Sequence, residues 1–250
     1  MKETLRVLLS SLLGNSHYSI HWLHLYFLPT FNHGFGFLAP PPQSRFPIVK
    51  MDRHVVFDVV GTLVDFAAFY SRIENVLGSK LRSEGIRSSL FGYTWMTTSE
   101  LEFTFLSISS RHTPYNEVMK AMFYRTLWMS GIESPRSFAT DAERELCQEG
   151  YSMLTLREGA RECIELLQQA GFKVWCLTTA DPERVQGYFS QGGIEMPPIV
   201  SCDEQGVAKP QLAAYRSIVE KFGKGDEKWF AACHAWDVSA ARLEIGRAHV

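Results

Sequence analysis

The chain has 250 residues, 46% of them apolar and 21% charged, and its 25 Lys and Arg against 27 Asp and Glu leave a net charge of −2. These values suit a globular chain; they exclude a collagen-like or wholly disordered protein and provide no basic field for nucleic acid. The length allows one large domain or two modest ones. Five cysteines (Cys147, Cys163, Cys176, Cys202 and Cys233) include no CxxC pair, which argues against a disulfide framework or zinc knuckle and for reduced thiols in a cytoplasmic enzyme.

Residues 1–50 hold four histidines, an aromatic-rich middle and the run Pro40-Pro41-Pro42. They carry neither a clean signal-peptide pattern nor an Arg-rich presequence. Their most apolar part, 17–38, is interrupted by histidines, Pro29, Asn32 and glycines, short of the roughly 18 continuous apolar residues of a membrane span. Met51 stands directly before the first well-formed strand, so 1–50 is expected to be a disordered or non-native extension.

Residues 54–60 (HVVFDVV) form an apolar, β-branched run closed by Gly61 and Thr62, which predicts a buried parallel strand with Asp58 near its end. From 67 to 151 apolar residues recur at helical spacing (Phe69, Ile73, Val76, Leu77; then Val118, Met122, Leu127), which predicts a helical insertion. The α/β rhythm returns over 152–243. A helix is expected over 160–170, with Leu166 and Leu167 on its buried face and Gly171 closing it. A strand follows over 173–177, then a helix opened by Asp181 as N-cap and Pro182 in its first turn. A strand over 198–201, a helix over 211–222 and a strand over 229–233 complete the pattern. The last residues, 244–250 (EIGRAHV), read as a tail foreign to the fold or as one more strand; on either reading the chain is expected to be C-terminally truncated for its fold, with an exposed edge beside the last strand.

Strands alternating with helices predict a parallel sheet covered on both faces, with ligands bound at the carboxyl ends of the strands. The chemistry-bearing residues Asp58, Thr178, Lys209 and Asp237 follow that rule, three of them directly after a strand.

Four motifs stand in order: Phe57-Asp58-Val59-Val60-Gly61-Thr62-Leu63; Leu177-Thr178-Thr179; Lys209-Pro210 with Tyr215 six residues after the lysine; and Ala235-Trp236-Asp237. Together, over about 51–243, they resemble the haloacid dehalogenase superfamily, and within it the 2-haloacid dehalogenases, particularly their eukaryotic, fungal-style relatives. The resemblance implies an α/β fold: a Rossmann-like core with a parallel sheet (51–66 and 152–243) and an inserted helical cap (67–151). It implies that Asp58 is the nucleophile, attacking the halogen-bearing carbon of a small 2-haloacid to form an ester. Lys209 would pair its charge with Asp58, and Asp237 would orient Lys209 or polarise the hydrolytic water. Thr62 and Thr178 would aim the carboxylate or hold the substrate, and Tyr215 would add a phenolic donor. His234, in the place of a family asparagine, and Trp236 would stand by the substrate. Asp65 reads as a local cap.

Val60 stands where the superfamily's phosphatases carry a general acid, and an ester oxygen needs that proton where a halide does not. Cys233 replaces a further acid, leaving Asp58 and Asp237 as a thin set for Mg²⁺. Metal-independent chemistry without a cofactor is therefore expected. Ala232 replaces a family serine. The cap neighbourhood Trp95-Met96-Thr97 lacks the family's halide-receiving arginine, and Arg111 is the next candidate. The alternatives are a Mg²⁺-dependent phosphatase and a catalytically silent binding protein of the same fold. The expected partner is a small-molecule carboxylate, with a homodimer left open and neither nucleic acid nor membrane marked.

Overall fold

Val55, Val56 and Phe57 of β1 (Arg53–Phe57) are fully buried, with Val55 and Phe57 in one apolar cluster and Val56 in another. That is the two-residue period of a strand covered on both faces. The computed structural model describes residues 51–246 and the backbone of 248 and 249; the expectation for 1–50 lies outside the described residues.

After β1 and the short β2 (Val64–Asp65) come five helices: α1 (Ala67–Ser83), α2 (Ser88–Ile108), α3 (Tyr115–Met129), α4 (Pro135–Phe138) and α5 (Asp141–Glu149). A 3₁₀ turn (Gly150–Ser152) leads to β3 (Thr155–Leu156), which pairs antiparallel with β2, Val64 opposite Leu156. Thus a two-stranded ribbon closes the base of the helical insertion, an element the periodicity argument missed because two-residue strands carry no pattern. The chain then alternates: α6 (Ala160–Gln169), β4 (Lys173–Thr178), α7 (Pro182–Gln191), β5 (Ile199–Ser201), α8 (Leu212–Val219), β6 (Glu227–Ala231), α9 (Ala235–Glu244) and β7 (Ala248–His249).

The main sheet has the order β5-β4-β1-β6-β7 and all its pairs are parallel. One face is packed by Ile164 and Leu167 of α6 and by Val185 and Phe189 of α7. The other is packed by Ala214, Tyr215 and Ile218 of α8 and by Val238 and Ala241 of α9. Within the insertion, Phe69, Ile73 and Leu77 of α1 meet Phe91 and Trp95 of α2 and Phe123 and Leu127 of α3 in a continuous apolar core. Trp95 and Phe123 pack edge to face with ring centroids 4.9 Å apart, and the Trp95 indole N–H donates to Met119 O at 2.8 Å.

Three expectations change. Leu166 is 44% exposed, whereas Leu167 is buried, so the inward stripe of α6 is Ala160, Cys163, Ile164 and Leu167. The strand runs expected over 54–60 and 229–233 stop at Phe57 and Ala231, because Val59 O accepts the N–H groups of Leu63 and Val64 in a tight turn while Cys233 N–H donates to Thr62 Oγ1. The edge of β6 is not bare: Ala248 and His249 pair with Phe230 and Ala231. Asp181 and Pro182 open α7 as expected, with the Asp181 carboxylate accepting the N–H of Arg184 at 3.0 Å.

Candidate active site

The parallel ladder aligns the carboxyl ends of β1, β4 and β6, so the residues that follow them meet on one edge. Asp58 leaves β1 with its N–H still bonded to Ala231 O at 3.0 Å. Gly61, at φ +85°, lets the chain reverse immediately afterwards, and a Cβ there would lie 2.9 Å from His234 Cε1. The turn and the start of α9 therefore approach closely because residue 61 has no side chain.

Asp58 is buried, and its carboxylate is held at both oxygens. Thr62 Oγ1 donates to Oδ2 at 2.6 Å and Lys209 Nζ donates to Oδ1 at 2.9 Å. Lys209 is buried and gives a second bond, 2.9 Å, to Asp237 Oδ2. Tyr215, on α8, donates its hydroxyl to the other oxygen of Asp237. Burial opposes the charge on Lys209, but the Asp237 and Asp58 carboxylates outweigh it and hold its pKa above the ordinary lysine value. Burial pushes Asp237 upward, and so does the Asp58 charge, against the pull of Lys209. Tyr215 is raised by burial and by Asp237 and so stays a donor.

Over Asp58 lies a pocket of about 30 Å³, room for roughly two waters at 10–15 Å³ each. Val60, Lys209, His234 and Trp236 line it from the core, along with Thr179, Ala180 and Arg184; Glu100, Phe103, Thr104 and Tyr115 line it from the insertion. The His234 and Trp236 rings stack at 5.5 Å, and Trp236, 40% exposed, forms a wall.

A sequence profile described as a haloacid dehalogenase-like hydrolase matches residues 53–241. The chain belongs to this hydrolase family. No curated protein matches it. Among solved structures, the L-2-haloacid dehalogenase from Xanthobacter autotrophicus aligns with TM-score 0.63 at 22% identity, over 79% of this chain and 76% of that one. A second structure of that enzyme, described with chloropropionic acid covalently bound, aligns with TM-score 0.61 at the same identity and coverage. A HAD-hydrolase from Bacillus subtilis, YfnB, described as bound to magnesium, aligns with TM-score 0.58 at 19% identity, over 79% of this chain and 87% of that one.

In this haloacid dehalogenase-like hydrolase the structure brings Asp58, Lys209, Asp237, Thr62 and Tyr215 into one hydrogen-bonded chain. His234 and Trp236 join Asp58 and Lys209 in the pocket lining. Thr62 and Tyr215 are fully buried and outside the pocket lining: of the two roles expected of Thr62 the geometry is that of aiming the Asp58 carboxylate, and the phenolic donor of Tyr215 goes to Asp237, so neither of these candidate substrate-binding residues touches the space a substrate would fill. Thr178 is also buried, and its Oγ1 accepts Ala180 N–H at 3.1 Å; it shapes the turn, and the neighbouring Thr179 lines the pocket instead. Neither Trp95 nor Arg111 lines the pocket: Trp95 belongs to the insertion core and Arg111 is exposed. Asp65 caps locally, accepting Ala67 N–H at 2.9 Å.

Two charged pocket residues, Arg184 and Glu100, escaped sequence reasoning. Arg184 stands in the first turn of α7, and a helix that follows a strand starts at the ligand edge of such a sheet, which is the signal that could have found it. Glu100 shares the face of α2 that carries Met96, Phe103 and Ser107, at helical spacings of four, three and four residues; a carboxyl on a buried stripe is its signal.

The fold family also implies Mg²⁺ in some members, and the donors here do not fit that ion. Both oxygens of Asp237 are taken by Lys209 and Tyr215, the Asp58 oxygens by Lys209 and Thr62, and the Lys209 ammonium occupies the space between the two carboxylates. Mg²⁺ needs hard oxygen donors in a near-octahedral shell, and Cys233 offers sulfur. Elsewhere among the described residues, Asp52, His54 and Asp226 lie close together, but Trp175 donates to His54 Nδ1 at 3.0 Å. His54 Nε2 then carries the hydrogen and donates to Asp226, leaving no ring lone pair for a metal.

Proposed function

We propose that the chain hydrolyses small 2-haloacids through a covalent ester on Asp58. The observation that carries the reading is the pairing of Asp58 with Lys209 at 2.9 Å in the floor of a pocket where Val60, not a second aspartate, lies beside the nucleophile. An Asp58 oxygen attacks C2, the C–O bond forms, and the carbon–halogen bond breaks with its electron pair leaving on the halide. Water then adds to the Asp58 carbonyl carbon and releases the 2-hydroxy acid.

Lys209 stabilises the charge on Asp58 before attack and on the ester oxygen during hydrolysis, in a site screened from water where Coulomb terms are large. Asp237 and Tyr215 hold that ammonium in place. Arg184 supplies the cation for the substrate carboxylate: its Nε is buried with no hydrogen-bond partner, while Nη1 donates to Asn116 Oδ1 at 3.0 Å. His234 and Trp236 form the remaining wall.

The insertion serves as a cap over this site. Hydrogen bonds around the pocket tie it to the core, among them Thr104 to Lys209 O, Gln211 to Ser107, His112 to Asp203, and Arg184 to Asn116. With about 30 Å³ beneath it, the cap moves to admit a haloacid and excludes bulk water when closed. All five cysteines are free, which supports the cytoplasm as the working compartment.

The test is intact-protein mass spectrometry after incubation with 2-chloropropionate and 2-bromopropionate without added metal, with the modified peptide then sequenced. A carboxyethyl adduct on Asp58, lost in Asp58→Asn, is expected along with halide release. Full turnover by Asp58→Asn, or Mg²⁺-dependent phosphate release from a simple ester with no adduct, overturns the reading.

A further inference from the structure

The insertion contributes one carboxyl to the pocket, Glu100, and it faces a crowded electrostatic field. Asp58 approaches from the end of β1, Asp237 and His234 from the start of α9, Lys209 from the loop before α8, and Tyr115 from α3; Arg184 lines the same space from α7. Among the described residues none hydrogen-bonds the Glu100 side chain, whereas the carboxylates of Asp58 and Asp237 are each held at both oxygens. A carboxyl across the pocket from the nucleophile is chemically the reverse of a cation: ionised, it would repel a departing anion; protonated, it would donate a hydrogen bond to it.

We propose that Glu100 is the acid–base residue of the Asp58 reaction, giving its proton to the departing group and taking one back from the hydrolytic water. This rests on the nucleophile reading above and extends it to the class of leaving group, favouring one that needs a proton, fluoride above bromide.

The protons balance over the cycle. At the start Glu100 is the neutral acid and Asp58 the carboxylate. Attack forms the Asp58–C2 bond and breaks the carbon–halogen bond, and the halide departs with the pair; fluoride takes the Glu100 proton with it, whereas bromide takes none and Glu100 gives its proton to water once the Asp58 charge is gone, leaving in both cases a neutral ester and a Glu100 carboxylate. Water then adds to the ester carbonyl, and one of its protons passes to Glu100. The other leaves with the hydroxy acid, and the Asp58 carboxylate is restored.

The field of the site drives the alternation in the right direction. Burial is the first cause raising the proton affinity of Glu100; His234 opposes it, the Asp58 and Asp237 charges add to it, and Lys209 opposes. Ester formation removes the Asp58 charge, so Glu100 becomes more acidic as the leaving group needs its proton. Addition of water puts negative charge on the ester oxygens, so Glu100 gains basicity as the water gives up its proton, and the restored Asp58 charge then keeps that proton on Glu100 for the next cycle.

The experiment compares wild type, Glu100→Gln and Glu100→Asp with 2-bromopropionate and 2-fluoropropionate, following halide release and the Asp58 adduct by intact mass. In Glu100→Gln, adduct formation from the fluoro acid is expected to fall about 10²-fold or more, the usual scale of general acid–base catalysis. From the bromo acid the adduct still forms but accumulates, because its hydrolysis lacks a base. Glu100→Asp keeps a carboxyl and recovers part of both steps. Glu100→Gln that forms and clears the ester as wild type does with both halides overturns the role, as does equal slowing of both with no accumulation. Absence of any Asp58 adduct in wild type overturns the nucleophile reading itself.

Discussion

Lys209 Nζ donates to Asp58 Oδ1 at 2.9 Å across 151 positions of sequence, and the same ammonium reaches Asp237 Oδ2 at the same distance. One buried cation therefore stands between two acids that would otherwise repel each other and offsets part of their charge. Replacing Lys209 by Met leaves both carboxylates without their counter-charge. Breaking a buried pair from one side costs about 3–5 kcal/mol. Urea unfolding of Lys209→Met should show a loss of that order, and the double variant Lys209→Met with Asp237→Asn should recover part of the stability while remaining inactive. A single variant as stable as wild type contradicts the arrangement.

Thr62 is the second hand on the nucleophile. Its hydroxyl donates to Asp58 Oδ2 at 2.6 Å and accepts Cys233 N–H at 3.0 Å, so one side chain ties the β1 turn to the end of β6. Thr62→Val keeps the shape and removes both bonds, leaving a buried N–H without its acceptor. A loss of about 1–3 kcal/mol is expected from thermal or urea unfolding. Adduct formation at Asp58 should slow as well, since the carboxylate loses one of its two anchors, whereas KM should change little because Thr62 does not line the pocket.

The acid–lysine–acid chain was legible in the sequence because each member is a charged residue in a place where burial makes charge expensive: Asp58 and Asp237 just beyond apolar strands, Lys209 in the loop between two such strands. The pocket roof was not. Residues 88–108 are apolar on both sides of the helix, with Leu101 and Phe105 exposed while Trp95 and Phe103 are buried, so periodicity alone does not say which face looks inward. Glu100 and Glu102 are therefore equivalent until the packing of α2 on α3 is known. Tyr215 shows the same limit from another side: its helix was expected, but its hydroxyl's destination depends on α9, which reaches it only in three dimensions.

Tyr215 supplies a prediction that separates positioning from substrate contact. Its hydroxyl is buried against Asp237 and touches no pocket space. Tyr215→Phe should therefore lower kcat with KM nearly unchanged, because the loosened Asp237 lets Lys209 drift from Asp58. The stability cost should be about 1–3 kcal/mol for the lost bond to a buried acid. A rise in KM at constant kcat in steady-state kinetics would instead place the phenol against the substrate.

At the amino-terminal edge of the sheet, Asp226 yields a pH prediction independent of the catalytic reading. It accepts Asp52 N–H at 3.0 Å, Gly223 N–H at 2.7 Å and a bond from His54 at 3.1 Å, tying the entrances of β1 and β6 together. The Asp52 N–H, helped by those of Gly223 and His54 and opposed by burial, holds its carboxyl below the ordinary aspartate value of 3.8. A folded-state pKa lower than the unfolded one means that the unfolded chain binds the proton first. The stabilisation is thus complete above the ordinary aspartate value and is lost as pH falls through the folded value. Asp226→Asn should lower Tm by a constant amount near neutral pH, and the gap to wild type should close as pH drops below that value. A gap that stays constant into acid would mean that Asp226 acts through packing alone, since only the ionised carboxylate draws extra stability from these three donors.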